Sequence, residues 1–501
     1  MTAEKDKSDL ILVLDQGTTS SLAMLYDKSG KCIASSRQTL EQIYPEPGWV
    51  EHEPMEILSS QLSALKKVLS RANVDPGRIA GLGIANQRET TVLWNRKTGK
   101  PIGNAIAWQC RRTAESIEQI CKDPSIAQEI TERTGLVPDA YFSASKIAWF
   151  LDNIPGARDQ ANRGELAFGT VDSWLIYSLT EGKVHKTDYT NASRTMLYNI
   201  HKGCWDEKLL EFFNIPYSLL PEVHPSAYDY GLATHPSLPQ GLHIYGVAGD
   251  QQAALFGQRC FSAGEAKCTI GTGAFLLMHT GDKACVSENR LITTIAASAY
   301  GLDHLEYALE GSIFIAGALI DWLIDGLEII RFSHESEQMA LLIPNTAGVY
   351  IVPAFTGLGA PWWNPNARGT ITGITRGTRK EHIVRAALES LAYQSADLIS
   401  AFNNDAGAKL SSLKTDGGVS SNGFLMQFMS DILAIPVIRP ENSESTARGA
   451  AFLAGLTCGF WHDQEEILKL SIKEQMFTPG RIDRQALMAG WHKALDIVKM
   501  S

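Results

Sequence analysis

The sequence predicts an α/β protein made of two related halves, and three observations carry that expectation. Short apolar strands alternate with amphipathic helices along all 501 residues. The opening meander, Leu10–Leu14, Leu22–Tyr26 and Cys32–Ser36, returns in kind at Ala266–Thr280, each copy punctuated by a Gly/Asp/Lys turn. Between them the chain resets near residue 240, where Leu232–Leu242 is rich in Pro and Gly and Ile244–Ala248 starts a new strand. These features place a boundary near 250–260 and suggest a diverged duplication.

The elements follow in order. The first meander turns at Asp27-Lys28-Ser29-Gly30. After a polar loop at Tyr44–Glu53, Pro54–Ser70 carries apolar residues at helical spacing. Ile79–Ala85 is an apolar strand that delivers Asn86-Gln87-Arg88-Glu89-Thr90. Glu381–Ala406 reads as a long amphipathic helix, and the small residues of Ser445–Leu456 as a buried one. Composition narrows the class of protein. Hydrophobic content of 44% and charged content of 20% are ordinary for a globular chain. A net charge of −10 without a Lys/Arg cluster argues against nucleic-acid binding. The eight cysteines form no CxxC pair and have no metal-type His spacing, which suits free thiols in a reducing compartment. The polar leader Met1–Asp9 is unlike a secretory signal, and no apolar run reaches membrane-spanning length. A cytoplasmic enzyme is the expectation.

Four segments carry chemistry. The apolar run Leu10–Leu14 breaks into Asp15-Gln16-Gly17-Thr18-Thr19-Ser20-Ser21. Gly17 permits a tight turn, hydroxyls and amides can donate to phosphate oxygens, and a carboxylate beside phosphates implies a metal between them. The same residues also make an ordinary tight turn. Ala266–Gly273 repeats the pattern, a strand running into Gly and Thr. Arg88 and Glu89 stand at a strand's carboxyl end, where open α/β sheets bind ligands, and their donors and acceptors suit a polyhydroxylated ligand. A surface salt bridge would look the same. Asp250, in Ala248-Gly249-Asp250-Gln251-Gln252, either caps a helix or acts as a general base toward an alcohol. Thr415-Asp416-Gly417-Gly418 ends a further strand, and its paired glycines let a flat ring or a phosphate approach the backbone. Trp108, Tyr141 and Phe275 are candidate pocket aromatics, or plain core.

Together these segments resemble the carbohydrate kinase family, which shares the actin-like (ribonuclease H-like) two-domain fold with its cleft between the domains. The resemblance rests on Asp15–Ser21, Pro47–His52, Asn86–Thr90, Trp108–Arg112, Ala248–Gly257 and Pro353–Pro361, with Tyr141–Asn153 and Gly369–Glu389 as general family signatures. It runs from about residue 9 to about 495. Asn86–Thr90 points to the glycerol-phosphorylating branch. The resemblance implies domains at 9–255, mainly polyol-binding, and 256–465, mainly nucleotide-binding, with a C-terminal helical extension at 466–501. It implies transfer of the γ-phosphate of ATP to glycerol. Arg88, Glu89, Tyr141, Asp250 and Gln251 would hold glycerol, with Trp108 and Phe275 against its carbon skeleton and Asp250 as catalytic base. Thr18, Thr19, Ser20 and Thr272 would meet the ATP phosphates, and Gly317, Gly418 and Asn422 the rest of the nucleotide. Mg²⁺ would lie near Asp15 and Asp250. A homodimer or homotetramer is implied as well.

Three departures from the family pattern stand out. Leu22 occupies a position where an Arg usually attends the nucleotide phosphates, so nucleotide affinity falls unless another base substitutes. Asp321 replaces a common Gln at an ATP contact. Ala233–Gly241 lacks the Gly-rich, Arg-bearing loop that binds fructose 1,6-bisphosphate in some bacterial members. Two other readings remain open at this level. One is a kinase of another polyol or of a ketose such as xylulose or ribulose. The other is a non-catalytic nucleotide or polyol sensor that uses the hinge as a switch.

Overall fold

A computed structural model describes residues 9–299, 304–364, 366–407 and 409–500, so the polar leader at residues 1–8 lies outside it. The run Leu10–Gln16 (β1) is buried because it is apolar on both faces and sits centrally. Ser20–Asp27 (β2) and Cys32–Thr39 (β3) complete the antiparallel meander, and β3 shows the alternating exposure of an edge strand. Helix Pro54–Ala72 (α1) has Pro in its first turn. The Glu53 carboxylate accepts from the backbone N–H groups of Met55 and Glu56, and left-handed Asn73 ends the helix. Ile79–Asn86 (β4), Ala227–Leu232 (β5) and His243–Gly249 (β6) finish the first sheet, in the order β5-β6-β4-β1-β2-β3. Strands β4 and β6 run parallel to β1, and the other neighbours pair antiparallel. The Pro/Gly-rich stretch near 240 therefore closes a hairpin inside the first sheet.

Asp250–Gly257 (α2) leads to a second sheet of Ala266–Ile270 (β7), Ala274–Gly281 (β8), Ile292–Ile295 (β9), Tyr307–Ile313 (β10), Leu413–Asp416 (β11), Val437–Pro440 (β12) and Glu474–Phe477 (β13). Its order is β9-β10-β8-β7-β11-β12-β13. The core of both sheets is the same: an antiparallel meander whose first strand pairs in parallel with the next β-strand inward. The duplication read from the two meanders is thus a repeat of topology. Lys380–Ala406 (α3) and Gly423–Leu433 (α4) cover the second sheet, Ser445–Thr457 (α5) packs on β4 and β6 of the first, and Arg484–Met500 (α6) packs against α3 and the paired strands Tyr350–Val352 and Thr370–Thr372. The C-terminal helix is held firmly, since Trp491 stacks on Tyr393 and donates to Asp397 Oδ2 at 2.7 Å.

Helices α2 and α5 cross at a glycine contact. A Cβ on Gly449 would collide with the Ala253 carbonyl, and one on Gly257 with that of Ser445. This close crossing joins the halves beside the carboxyl ends of β4, β6 and β7.

Candidate active site

Glu89 has a left-handed backbone, with φ +58°, a conformation that costs a non-glycine residue about 1–2 kcal/mol. Its carbonyl accepts from Thr91 Oγ1 and from Ser143 Oγ, each at 3.1 Å, and these bonds hold the turn. The turn aims Arg88 and Glu89 inward from the end of β4, where they are 3% and 1% exposed. The surface salt-bridge reading is thereby overturned. Gly249 explains how the Arg88 chain fits, because a Cβ there would lie 2.7 Å from Arg88 Cγ.

The guanidinium of Arg88 reaches into the other half. Nη1 and Nη2 donate to Glu310 Oε2 and Oε1 at 2.5 and 3.0 Å, and Nε lies 3.3 Å from Asp250 Oδ1. Arg194 completes the cluster. It donates through Nε to Glu89 Oε1 at 2.6 Å and through Nη2 to Glu310 Oε1 at 3.1 Å. Its Nη1 is buried without a hydrogen-bond partner. Two guanidinium and two carboxylate groups therefore balance in a volume closed to solvent. Burial alone would raise the Glu310 carboxyl, but Arg194 and Arg88 outweigh it and bring it down to about 2. Glu89 is raised, because its burial exceeds the pull of Arg194 and Arg88.

Asp250 opens α2, but the N-cap is Gly249, so the capping reading fails. Both contacts of the Asp250 carboxylate use Oδ1, to Arg88 and to its neighbour's backbone N–H at 2.7 Å, which leaves Oδ2 for a ligand. Gln251 Oε1 accepts from Lys267 Nζ on β7, and Lys267 also donates to Thr269 Oγ1 at 2.8 Å. The Trp108 and Tyr141 rings meet edge to face at 5.5 Å. Trp108 Nε1 donates to Thr18 Oγ1 at 3.0 Å, tying this pocket to the Asp15–Ser21 turn. Phe275 packs with Leu255 of α2 and with Leu277 and Ala308 of the second sheet.

The first turn is tight, with Gly17 N–H donating to the Ser20 carbonyl at 2.9 Å. Burial pushes the Asp15 carboxyl up to about 7, with the carboxylates of Glu444 and Asp250 adding to the rise and Arg37 opposing it. Two carboxylates that repel one another fit a hard divalent cation that neutralises both. Among the described residues no cluster of three or more His, Cys, Asp or Glu could hold a metal, so such an ion would take its remaining oxygens from phosphate and water. In the second sheet, Thr272 sits in a matching turn. Its carbonyl accepts from the N–H of Ala316 and of Ala318, and Gly317 N–H donates to Gly271 at 2.8 Å. Gly417 packs under Ile270, and a cavity of about 560 Å³ opens beside Gly417 and Gly418. Asn422 is committed elsewhere. It caps α4 through Leu425 N–H and donates to Ser336 Oγ at 3.2 Å. Leu22 is 6% exposed among Ile11, Val13 and Met24, and Asp321 is exposed at the end of the short helix Gly317–Asp321.

Arg194, Glu310 and Lys267 were not foreseen. Each is a charge inside an otherwise apolar or small-residue stretch (Tyr307–Ile313 has one acid among seven residues), and that pattern is the signal that marks them.

Two Gly/Thr turns, one at the end of the first strand of each sheet, and a buried polar pocket with one accessible carboxylate suit a phosphotransferase built of two related halves. Residues 10–257 match the N-terminal domain of the FGGY family of carbohydrate kinases and residues 266–458 its C-terminal domain, and the chain belongs to that family. It is 56% identical to the glycerol kinase of Thermoanaerobacter sp. (strain X514), over 97% of this chain and 98% of that one. It is 55% identical to the glycerol kinase of Carboxydothermus hydrogenoformans, over 97% of each. Among solved structures, the Plasmodium falciparum glycerol kinase with ADP superposes with a TM-score of 0.92 at 37% identity, covering 98% of both chains. Among the described residues no helix is long and apolar enough to cross a membrane.

Proposed function

We propose that this chain transfers the γ-phosphate of ATP to glycerol, giving sn-glycerol 3-phosphate and ADP. The observation that carries the reading is the buried group Arg88, Glu89 and Gln251 beside the partly exposed Asp250 at the carboxyl ends of two adjacent parallel strands, since a triol needs a donor or acceptor at every hydroxyl. Arg88, Glu89, Tyr141 and Gln251 orient the hydroxyls, and Trp108 and Phe275 contact the carbon chain. Asp250 Oδ2 accepts the proton of the attacking terminal hydroxyl. The hydroxyl oxygen bonds to the γ-phosphorus as the bond to the β,γ-bridging oxygen breaks, and ADP departs with that oxygen.

Thr18, Thr19, Ser20 and Thr272 position the phosphates from the two turns, and Gly317 and Gly418 bound the nucleotide's remainder. Because the Asn422 side chain already caps a helix, its place in that set rests on its helix-starting backbone. Mg²⁺ fits Asp15 and Asp250 and would neutralise phosphate charge. We infer a cytoplasmic homodimer or homotetramer with a polyol-binding domain at 9–255, a nucleotide-binding domain at 256–465 and a helical extension from 466.

An ADP-release assay across glycerol, xylitol, xylulose and ribulose tests the reading. The expected result is turnover with glycerol at a kcat/KM at least a hundredfold above the others. A ketose as best substrate would overturn it in favour of the sibling activity. Binding of ATP and glycerol by calorimetry without turnover in Mg²⁺ would favour the sensor.

A further inference from the structure

Asp15, Leu22 and Arg37 form a row across three adjacent strands of the first sheet, with Asp15 opposite Leu22 and Leu22 opposite Arg37. Residues paired this way project from the same face of a sheet. It is the face that packs on α5, since Leu22 shares an apolar cluster with Ala447, Ala450 and Ala451. The middle of the row is therefore sealed in the core, while its two ends carry opposite charges. Arg37 stands at the open end, its side chain 56% exposed.

An exposed arginine on an edge strand gains most entropy by extending into water. Arg37 instead lies back along the row. Its Nη1 donates to Ser20 Oγ at 3.0 Å and its Nη2 to Glu444 Oε1 at 2.9 Å. Ser20 belongs to the Asp15–Ser21 turn, so this bond places the guanidinium at that turn. Its other partner, Glu444, lies immediately before α5 with a side chain 34% exposed. A single partly exposed ion pair of this kind is weak, and a polyphosphate carries more charge and offers a guanidinium two oxygens at once.

We propose that Arg37 binds the terminal phosphates of the nucleotide at the Asp15–Ser21 turn, exchanging Glu444 for phosphate oxygen and supplying from β3 the cation that position 22 does not. The assignment rests on the phosphoryl-transfer reading above. The serine hydroxyl keeps one side of the guanidinium in place while the other changes partner, so little reorganisation accompanies binding.

Calorimetric titration of the β,γ-imido analogue of ATP, and separately of adenosine, into wild type, Arg37→Ala and Arg37→Lys tests this. Arg37→Ala should weaken the analogue about tenfold, Arg37→Lys by less, and neither should change adenosine or glycerol affinity by more than about twofold. Melting curves check the fold. If Arg37→Ala melts well below wild type, Arg37→Lys is decided by the same comparison. An Arg37→Ala enzyme that phosphorylates glycerol and binds the analogue within twofold of wild type would overturn the Arg37 assignment and leave the kinase reading standing. Equal losses for analogue and adenosine would also overturn it. A wild-type protein that neither binds the analogue nor turns over glycerol would sink both.

Discussion

Replacing Glu310 by Gln is the most searching perturbation of the pocket, because it keeps the shape and removes one charge. Glu310 is 1% exposed and accepts three guanidinium bonds, two from Arg88 and one from Arg194. Gln retains one acceptor but turns N–H donors toward guanidinium N–H groups. The four-charge cluster then carries one excess positive charge, relieved only by Asp250, whose side chain is 29% exposed. Two charges about 4 Å apart interact by about 4 kcal/mol at an effective dielectric of about 20. Removing one partner of a buried pair costs about 3–5 kcal/mol. For a domain of this size each kcal/mol is worth about 2–4 °C, so the first thermal transition should fall by about 10 °C. With Arg88 no longer clamped, KM for glycerol should rise at least tenfold. Scanning fluorimetry and glycerol titration of the purified variant read both quantities. A melting temperature within about 2 °C of wild type, together with an unchanged KM, would refute the argument that Glu310 holds Arg88.

Asp250→Asn should lower kcat by about 10²–10⁴ while glycerol still binds by calorimetry, and near-normal turnover would remove Asp250 as the base. Asp15 gives a pH signature: its carboxyl ionises near 3.8 when unfolded but is pushed up to about 7 when folded. Between those values the folded state binds more protons, so this group makes stability fall as pH rises from about 4 to 7. In nucleotide-free protein, the melting temperature of Asp15→Asn relative to wild type should therefore climb across that window, and a flat difference would contradict the assignment. Fructose 1,6-bisphosphate should not inhibit, because Ala233–Gly241 holds two prolines and no arginine for its phosphates. A dose-dependent loss of activity in a coupled assay would show that this loop, or another, binds it.

Much of the fold was legible locally. The apolar runs at Leu10–Leu14 and Ile79–Ala85 became β1 and β4 with ends extended by two residues and one, and Glu381–Ala406 became α3 with one more. Such elements are coded by period and by turn residues a few positions away. The Pro/Gly stretch near 240, where the chain was expected to reset, closes a hairpin inside the first sheet, because turn residues show that the chain reverses but not which strands it joins. In the pocket, Arg88, Glu89, Asp250 and Gln251 were visible as charges and amides at strand ends. Their setting was not: an adjacent Arg and Glu look alike on a surface and in a core.

The sequence by itself determined the α/β class, the repeated meander, the two Gly/Thr turns and the polar groups that end the strands. These are short-range properties of backbone and periodicity. Only the tertiary structure decided that Arg88 meets Glu310, 222 residues away, that Lys267 holds Gln251, and that Arg37 shares a row with Asp15 across Leu22. Strand order and register set those meetings, and both are fixed by burying whole faces of a sheet, a cooperative condition that no single segment contains.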